Sequence, residues 1–321
     1  MSAAPTVIVT GGAGFIGSHL VERLIRDGKS VIVIDDASTG SWKNLQSIHS
    51  HPRLRIVRGK VSECRELDEF ISHAEAIYHL AAAVGVELVV SQLVRTLRTN
   101  LCETEVVLEA AARHGVPVLL TSTSEVYGKS SNEWFEEGDD LLIGPPHFGR
   151  WGYACSKLMD EFLGLAYAKE QALPLVAVRL FNTVGPRQLG QYGMVLPRFI
   201  AAAKAGAPLR VFGDGRQSRC FCDVQDVVEA LIRLMHAPAA RGEVVNVGND
   251  EEITILQLAE LVRDTLGSKS PIEFVPYKEA YGPNFEEMQR RRPSIQKLAR
   301  VTGFRPATTL TETIRRTAAE M

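Results

Sequence analysis

A glycine-rich turn between an apolar run and a helical stretch constrains the fold of this chain more than any other feature. The run Thr6–Thr10 is rich in β-branched residues, and the segment TGGAGFIG that follows it places Gly11, Gly14 and Gly17 three residues apart. Apolar residues at helical spacing come next and end at Gly28. A strand, a glycine turn and a helix in this order are typical of the first β-α-β unit of a parallel sheet.

Further apolar runs predict the remaining strands of that sheet. Nearly continuous apolar runs, separated by helical stretches, are expected for strands that are buried on both faces. The predicted strands are Thr6–Thr10, Ser30–Asp35, Leu54–Gly59, Ala76–Leu80, Val118–Ser122 and Leu175–Phe181. We therefore expect an α/β fold with a doubly wound parallel sheet of the Rossmann type.

The pattern changes after Phe181, where proline and glycine become dense and helices alternate with shorter strands. Thr254 followed by Gln257 is typical of a capping box at a helix start. We expect residues 1–181 to form the dinucleotide-binding domain and residues 182–321 to form a smaller, mixed α+β lobe, with an interleaved boundary.

Composition and charge exclude several classes of partner. The 321 residues include 36 basic and 38 acidic side chains, a net charge of −2, so we expect no nucleic acid partner. No apolar stretch reaches the ~18 residues of a membrane span, and the N-terminal sequence has no basic region typical of a signal peptide. Five scattered cysteines predict neither a disulfide framework nor, at Cys220 and Cys222, a metal site. We expect a cytoplasmic protein with no membrane partner.

The glycine turn predicts a dinucleotide site. Glycines let the backbone approach a pyrophosphate, which then lies at the positive N-terminus of the helix. Asp35 ends the second predicted strand, where a carboxylate accepts hydrogen bonds from the adenosine ribose and repels a 2′-phosphate. With Asp36 beside it and no adjacent arginine, the sequence favours NAD over NADP.

A candidate reaction centre lies in the segment YACSK, which places Tyr153 and Lys157 one helical turn apart. A tyrosine with its usual pKa of ~10 is a poor base at neutral pH. We expect the ammonium group of Lys157 and the positive charge of the nicotinamide to lower that pKa. The tyrosine then takes a proton from a substrate hydroxyl while a hydride passes to NAD.

Several motifs recur in order through most of the chain: TGGAGFIGSHL, HLAA, STSEVYG, YACSK, RLFNTVGPR and FGDGRQSRCF. Together they resemble the extended short-chain dehydrogenase/reductase family, the NAD-dependent epimerases and dehydratases of nucleotide sugars. The resemblance implies a tightly held NAD and a homodimer through a four-helix bundle, for which Val89–His114 and Tyr153–Glu170 are the long helical stretches. The cofactor-binding residues that it implies are Gly11, Gly14, Phe15, Ile16, Gly17, Asp35, Asp36, Val61, Leu80, Ala81, Ala82, Asn100, Tyr153 and Lys157.

The resemblance is closest to UDP-glucuronate decarboxylases. Simple 4-epimerases usually carry Ser–Ser or Ser–Ala before VYG, whereas Glu125 supplies a general acid or base beside the sugar. The segments GPPHFGRWGYACSK and AYGPNFEEMQRRRPSIQKLARVTGFRP also match, and they place Arg291 on a family arginine that binds and protonates the sugar, within one residue of register. The predicted catalytic residues are Tyr153, Lys157, Ser124, Glu125, Thr123 and Arg291. The implied contacts to the UDP-sugar substrate come from Asn182, Arg187, Val211, Phe212, Arg219 and Arg291.

The exact reaction stays open in the sequence. Oxidation at C4 of a glucuronate makes a β-keto acid, which readily loses carbon dioxide, so the leading hypothesis is a UDP-glucuronate decarboxylase. A UDP-sugar 4-epimerase shares the C4 oxidation and returns the hydride to the other face. A 4,6-dehydratase is less favoured, because those acting on thymidine-linked sugars carry Asp–Glu where this chain has Ser124–Glu125. A non-catalytic NAD-sensing module predicts a damaged reaction centre, which the motifs do not indicate.

One departure from the family concerns adenine. Relatives usually have Gly–Asp after the third strand, and that aspartate meets the adenine amino group, whereas this chain has Gly59–Lys60. We therefore expect adenine to be recognised differently, through the backbone of Val61.

Overall fold

The computed structural model describes residues 5–83, 92–190, 194–276, 288 and 290–321. The strands are β1 Thr6–Thr10, β2 Ser30–Asp35, β3 Leu54–Arg58, β4 Ala74–His79, β5 Val118–Thr123, β6 Leu175–Leu180, β7 Thr183–Val184, β8 Leu209–Phe212, β9 Ser218–Cys220, β10 Cys222–Asp223, β11 Glu243–Val247, β12 Glu252–Thr254 and β13 Ile272–Val275. The helices are α1 Phe15–Arg26, α2 Leu67–Ser72, α3 Leu93–His114, α4 Gly149–Glu170, α5 Val195–Ala205, α6 Val224–His236, α7 Ile255–Thr265, α8 Gln296–Thr302 and α9 Leu310–Glu320.

A seven-stranded sheet forms the centre of the molecule, in the order β11-β6-β5-β4-β1-β2-β3. Every pairing in it is parallel. In β1, Val7 and Val9 belong to one apolar core and Ile8 to another, because successive side chains of a strand point to opposite faces. Both faces are therefore covered by helices, which explains the continuous apolar runs and confirms the predicted doubly wound sheet.

The seventh strand comes from late in the chain. β11 pairs with β6 through matches such as Val245 with Val178, and α6 packs against α1 on one face of the sheet. A separate apolar core in the later part of the chain joins α5, α7 and β8 through residues such as Phe199 and Leu258. The chain therefore crosses from the sheet to the smaller lobe and back again.

The start of α7 follows the predicted capping box. The Thr254 hydroxyl accepts the Gln257 backbone N–H at 3.1 Å, and the Gln257 side-chain oxygen accepts the Thr254 N–H at 3.0 Å. Two N–H groups that a helix start leaves unpaired are satisfied in this way.

The two long helices α3 and α4 pack side by side. The predicted start of the first stretch, at Val89, lies outside the described residues, while α4 begins at Gly149, four residues earlier than the predicted Tyr153. Arg150, Tyr153 and Lys157 consequently share one face of α4, at spacings of three and four residues. Among the described helices, none is both long and apolar enough to cross a lipid bilayer.

Candidate active site

A cavity of about 750 Å³ opens at the carboxyl ends of the parallel strands, where ligands of open α/β sheets bind. The glycine turn, the start of α1 and the ends of the central strands line it on one side, and the smaller lobe lines it on the other. The predicted site residues that line it are Gly11, Gly14, Phe15, Ile16, Gly17, Asp35, Asp36, Val61, Leu80, Ala81, Ala82, Thr123, Glu125, Tyr153, Lys157, Asn182, Arg187, Phe212, Arg219 and Arg291.

The glycine turn brings backbone against backbone. Gly11 has a positive φ of 72°, and a Cβ there would lie 2.7 Å from the Ala81 nitrogen. A Cβ on Gly17 would lie 2.1 Å from the Gly11 oxygen, so only glycine allows α1 to start so close to β1. Gly14 caps α1 without a side-chain hydrogen bond, which leaves the first N–H groups of the helix available to an anion.

The end of β2 holds a fixed carboxylate. The two oxygens of Asp35 accept the backbone N–H groups of Ala13 at 2.8 Å and Ala37 at 2.7 Å. Burial raises the pKa of Asp35 above its usual value, and these two hydrogen bonds oppose the shift. Together with the open helix start, Asp35 gives this end of the cavity the groups that a nicotinamide dinucleotide requires. Lys60 also lines the cavity and pairs with Glu63 at 3.1 Å.

Tyr153 and Lys157 reach the cavity from α4, but their electrostatics differ from the prediction. Burial and the negative charge of Glu125 raise the pKa of Tyr153, while a hydrogen bond with Thr123 lowers it. Lys157 donates to Asp160 at 2.7 Å, and that carboxylate balances its charge. The protein's own side chains therefore do not lower the pKa of Tyr153, and that part of the prediction was wrong. The positive charge of a bound nicotinamide is the remaining group that would lower it.

Glu125 is held between two guanidinium groups. Arg150 donates to it from Nε at 2.6 Å and from Nη2 at 3.0 Å. Arg291 donates from Nη1 to Glu125 at 2.7 Å and from Nη2 to the Ser124 hydroxyl at 2.5 Å. Burial favours the neutral acid, but the charges of Arg291 and Arg150 prevail and lower the pKa of Glu125 to about 2. Glu125 is thus a carboxylate at neutral pH.

The three consecutive arginines Arg290, Arg291 and Arg292 have different contacts. Arg290 pairs with Glu252 at 2.6 Å, away from the cavity. The guanidinium carbon of Arg292 lies 3.6 Å from the ring centroid of Trp134. Only Arg291 of the three lines the cavity, where it contacts Glu125 and Ser124.

The smaller lobe supplies an aromatic and basic wall. The guanidinium of Arg198 lies 4.3 Å from the Phe212 ring centroid, and Arg219 is buried nearby with only 8% of its surface exposed. Arg187 donates to Glu22 at 2.8 Å and to Ser18 at 3.2 Å, next to the start of α1. A wall of this kind suits a base and a diphosphate.

Three predicted site residues do not line the cavity. Asn100 is buried behind the wall, where it accepts the Ala83 N–H at 2.8 Å and donates to Ser156 at 3.1 Å. Val211 is fully buried in the apolar core of the smaller lobe. Ser124 is also fully buried, and its hydroxyl accepts a hydrogen bond from Nη2 of the cavity residue Arg291 at 2.5 Å.

The sequence prediction missed several lining residues. Among them is Arg150, which pairs with Glu125 and lowers its pKa. Its position three residues before Tyr153 could have indicated a place at the site, since side chains three apart share a helix face. His147 and Phe148 lie in the quoted segment GPPHFGRWGYACSK, and Gln217 lies in FGDGRQSRCF, but none of them was singled out as a site residue. Lining residues outside the quoted motifs include Leu189, Met194, Arg198 and Arg210. Among the described residues, no group of three His, Cys, Asp or Glu side chains is placed to hold a metal ion.

Residues 7–248 match the NAD dependent epimerase/dehydratase family, and the chain belongs to this family. The resemblance inferred from the motifs is confirmed, as are the enzyme class and NAD as the cofactor of that class.

Among curated relatives, a UDP-N-acetyl-alpha-D-glucosaminuronate decarboxylase of Bacillus cytotoxicus is 38% identical over 300 residues, covering 93% of this chain and 92% of the relative. UDP-glucuronic acid decarboxylase 1 of Danio rerio is 34% identical, covering 97% of this chain and 71% of the relative. Among solved structures, a UDP-N-acetylglucosamine 4-epimerase from Methanobrevibacter ruminantium M1 has a TM-score of 0.89 and 30% identity, covering 100% of this chain and 98% of that one. A mutant UDP-glucuronic acid 4-epimerase from Bacillus cereus, in complex with NAD, has a TM-score of 0.87 and 26% identity, with 98% of both chains covered.

Proposed function

We propose that this enzyme decarboxylates a UDP-hexuronate after NAD-dependent oxidation of its C4. The observation that carries the proposal is the convergence of Arg150 and Arg291 on Glu125, beside Tyr153. The two decarboxylases described above act, by their names, on UDP-linked uronic acids, which supports the same substrate class.

The charges at the reaction centre favour a sugar with a carboxylate. Arg150, Arg291 and Arg219 all contribute positive potential at Glu125. The C6 carboxylate of a uronic acid places a negative charge beside these cations, whereas a neutral hexose does not. Guanidinium groups suit this contact because their planar N–H forks match a carboxylate.

The chain's own residues fit the steps of this reaction. NAD, held at the glycine turn and Asp35, would supply the hydride acceptor for C4 of the sugar. Tyr153 takes the proton of the C4 hydroxyl, with Thr123 hydrogen-bonded to the phenol and Lys157 one turn along α4. The resulting ketone is β to the C6 carboxylate, so the bond to carbon dioxide breaks and leaves an enolate. The cationic Arg291 stabilises that enolate, and Glu125 with Ser124 orients Arg291. A proton is then added at C5, and the hydride removed from C4 is returned to it, so that the net change is the loss of one carbon dioxide.

We assign NAD and the UDP moiety to different parts of the cavity. Residues 1–181 hold NAD at the glycine turn and Asp35, and residues 182–321 hold the UDP moiety. Phe212 lies beside the base, and Arg187 and Arg219 bind the diphosphate. All of these residues line one continuous cavity, which supports the division.

Product mass tests the reaction. Purified protein with NAD is incubated with UDP-glucuronate and, separately, with UDP-N-acetylglucosaminuronate, and the nucleotide sugars are measured by mass spectrometry. A product lighter by one carbon dioxide supports the decarboxylase, and the Tyr153→Phe variant should not form it. An isomer of unchanged mass instead supports the 4-epimerase, the second candidate, which agrees with the epimerases among the structural neighbours. No change of either substrate would contradict the proposal.

We also propose a homodimer through α3 and α4. The side chains Val94, Met159 and Phe162 are exposed by 72%, 55% and 64%, an unusual density of large apolar groups on a helix pair. Burial of this face against a symmetric copy would form a four-helix bundle. Light scattering of Phe162→Glu should give a monomer, while Phe274→Glu, a change at an exposed phenylalanine of the smaller lobe, should leave the wild-type mass. A monomeric wild type would contradict the dimer.

A cytoplasmic location is proposed from the cysteines. All five are free thiols, and Cys102 and Cys155 are exposed. Exposed free thiols are typical of reducing compartments. Cell fractionation of the tagged protein tests this location.

A further inference from the structure

A chain of buried polar side chains runs behind the reaction centre, outside the cavity wall. The Thr10 hydroxyl forms a hydrogen bond with His79 Nδ1 at 2.8 Å, and His79 Nε2 forms one with the Thr104 hydroxyl at 3.2 Å. Thr104 hydrogen-bonds Asp160, and Asp160 accepts from Lys157 Nζ at 2.7 Å. All five residues are at most 2% exposed. The chain connects β1, β4, α3 and α4 with the lysine of the reaction centre.

The hydrogen positions in this chain follow from its two ends. The carboxylate of Asp160 only accepts, so the Thr104 hydroxyl donates to it and accepts in turn from His79 Nε2–H. His79 Nδ1 is then the acceptor for Thr10, which requires a neutral imidazole. Burial lowers the pKa of His79 to about 3, in agreement with a neutral ring. The chain is therefore a fixed set of dipoles that ends on one negative charge.

We propose that Asp160 is a positioning residue for the C4 oxidation, a buried counter-ion that keeps Lys157 protonated and fixes the place of its ammonium group. A lysine that is 2% exposed without a partner would favour its neutral form, and Asp160 is the carboxylate that bonds it. The inference rests on the proposed function only for the role of Lys157, which the decarboxylase and the epimerase share.

Charged and titratable groups approach Asp160 from its own helix and from β4. On its own helix these are Lys157, Tyr153 and Glu161. From β4, His79 is neutral and reaches Asp160 only through Thr104. Among these neighbours, Lys157 is the only cation, so the loss of the Asp160 charge acts mainly on that lysine.

A direct titration of Lys157 tests the counter-ion role without any sugar substrate. The NAD-loaded enzyme is labelled with 13C at the lysine ε-carbons, and the Lys157 resonance is assigned by its absence in Lys157→Met. In Asp160→Asn, which removes the charge but keeps the shape, we expect the Lys157 titration midpoint to fall by about one to three pH units. An unchanged midpoint would overturn the proposal, whatever the enzyme's substrate proves to be.

Thr104→Val is the matched control, since it removes the hydrogen bond to Asp160 and leaves both charges. Its Lys157 midpoint should stay within about half a pH unit of wild type, because the ion pair remains. An equal shift in both variants would assign the effect to the hydrogen-bond chain and contradict the counter-ion role. With a substrate that wild type converts, Asp160→Asn should also move the alkaline limb of the kcat profile to lower pH while KM stays constant.

A double substitution covers the case in which Asp160→Asn does not fold. Removal of one partner leaves a buried charge, whereas removal of both leaves none. Lys157→Met combined with Asp160→Asn should therefore unfold at a higher urea concentration than either single variant. A double variant that is less stable than both single variants would refute the pairing.

Discussion

Replacement of Glu125 by glutamine tests the electrostatic centre of the site through stability. The fall of the Glu125 pKa from 4.5 to about 2 corresponds, at about 1.4 kcal/mol per unit, to about 3 kcal/mol of preference for the charged form in the folded protein. Its side chain is only 14% exposed, so solvent screens this interaction little. Glu125→Gln also leaves two guanidinium groups without their carboxylate. We expect it to lower the free energy of unfolding at pH 7 by at least about 3 kcal/mol.

The pH dependence of that difference identifies its origin. A depressed pKa stabilises the folded state above the unfolded pKa of 4.5, and the stabilisation is lost as pH falls towards about 2. Urea unfolding at fixed protein concentration should show the difference between wild type and Glu125→Gln shrink by about 1.4 kcal/mol between about pH 6 and pH 3.5.

Glu109→Gln is the control for this experiment, since its carboxylate is 62% exposed and pairs with Arg113 on the surface of α3. We expect it to change stability by less than about 1 kcal/mol at every pH. A Glu125→Gln difference that is constant from pH 6 to about pH 3.5 would refute a strongly acidic Glu125.

Three further predictions follow from single contacts. Arg291→Lys should reduce kcat/KM at least about tenfold, because an ammonium lacks the planar pair of N–H donors that bind Glu125 and Ser124. Arg290→Lys, a change on the surface, should leave kcat/KM unchanged. Asp35→Asn should weaken NAD binding in calorimetry about tenfold or more, because an amide offers one acceptor where two N–H groups are bound. Thr254→Ala should lower the free energy of unfolding by about 1 kcal/mol through loss of the capping box, as measured by urea unfolding.

Local signals made the cofactor half of the molecule predictable. The glycine turn, the apolar strands and the acidic end of β2 each depend on residues that are neighbours in sequence, and the structure places them as expected. The strand ends differ by one or two residues, as at β4, which begins at Ala74 rather than Ala76. Residues four apart share a helix face, so the segment YACSK was enough to predict that Tyr153 and Lys157 reach one cavity.

Long-range contacts set the limit of prediction. β11 joins the sheet beside β6 although 62 residues separate Leu180 from Glu243 in the numbering, and no apolar run marked it as part of the first sheet. Val211 was expected to contact the UDP-sugar, but alternation along β8 turns it into the core and leaves Phe212 at the cavity. Neither result follows from a motif, because each depends on what the strand packs against.

The electrostatics of the reaction centre depend both on spacing along the sequence and on long-range contacts. The motif YACSK supplies a cation four residues after a tyrosine, which predicts a lowered tyrosine pKa. Asp160, three residues after Lys157, balances that cation, and Glu125 adds a negative charge from the end of β5. Arg291 offsets that charge from 166 residues further along the chain. The pKa of Tyr153 is therefore set by burial together with these charges, and the protein's own side chains favour the protonated phenol. A positive charge on the bound cofactor would lower this pKa and favour the phenolate.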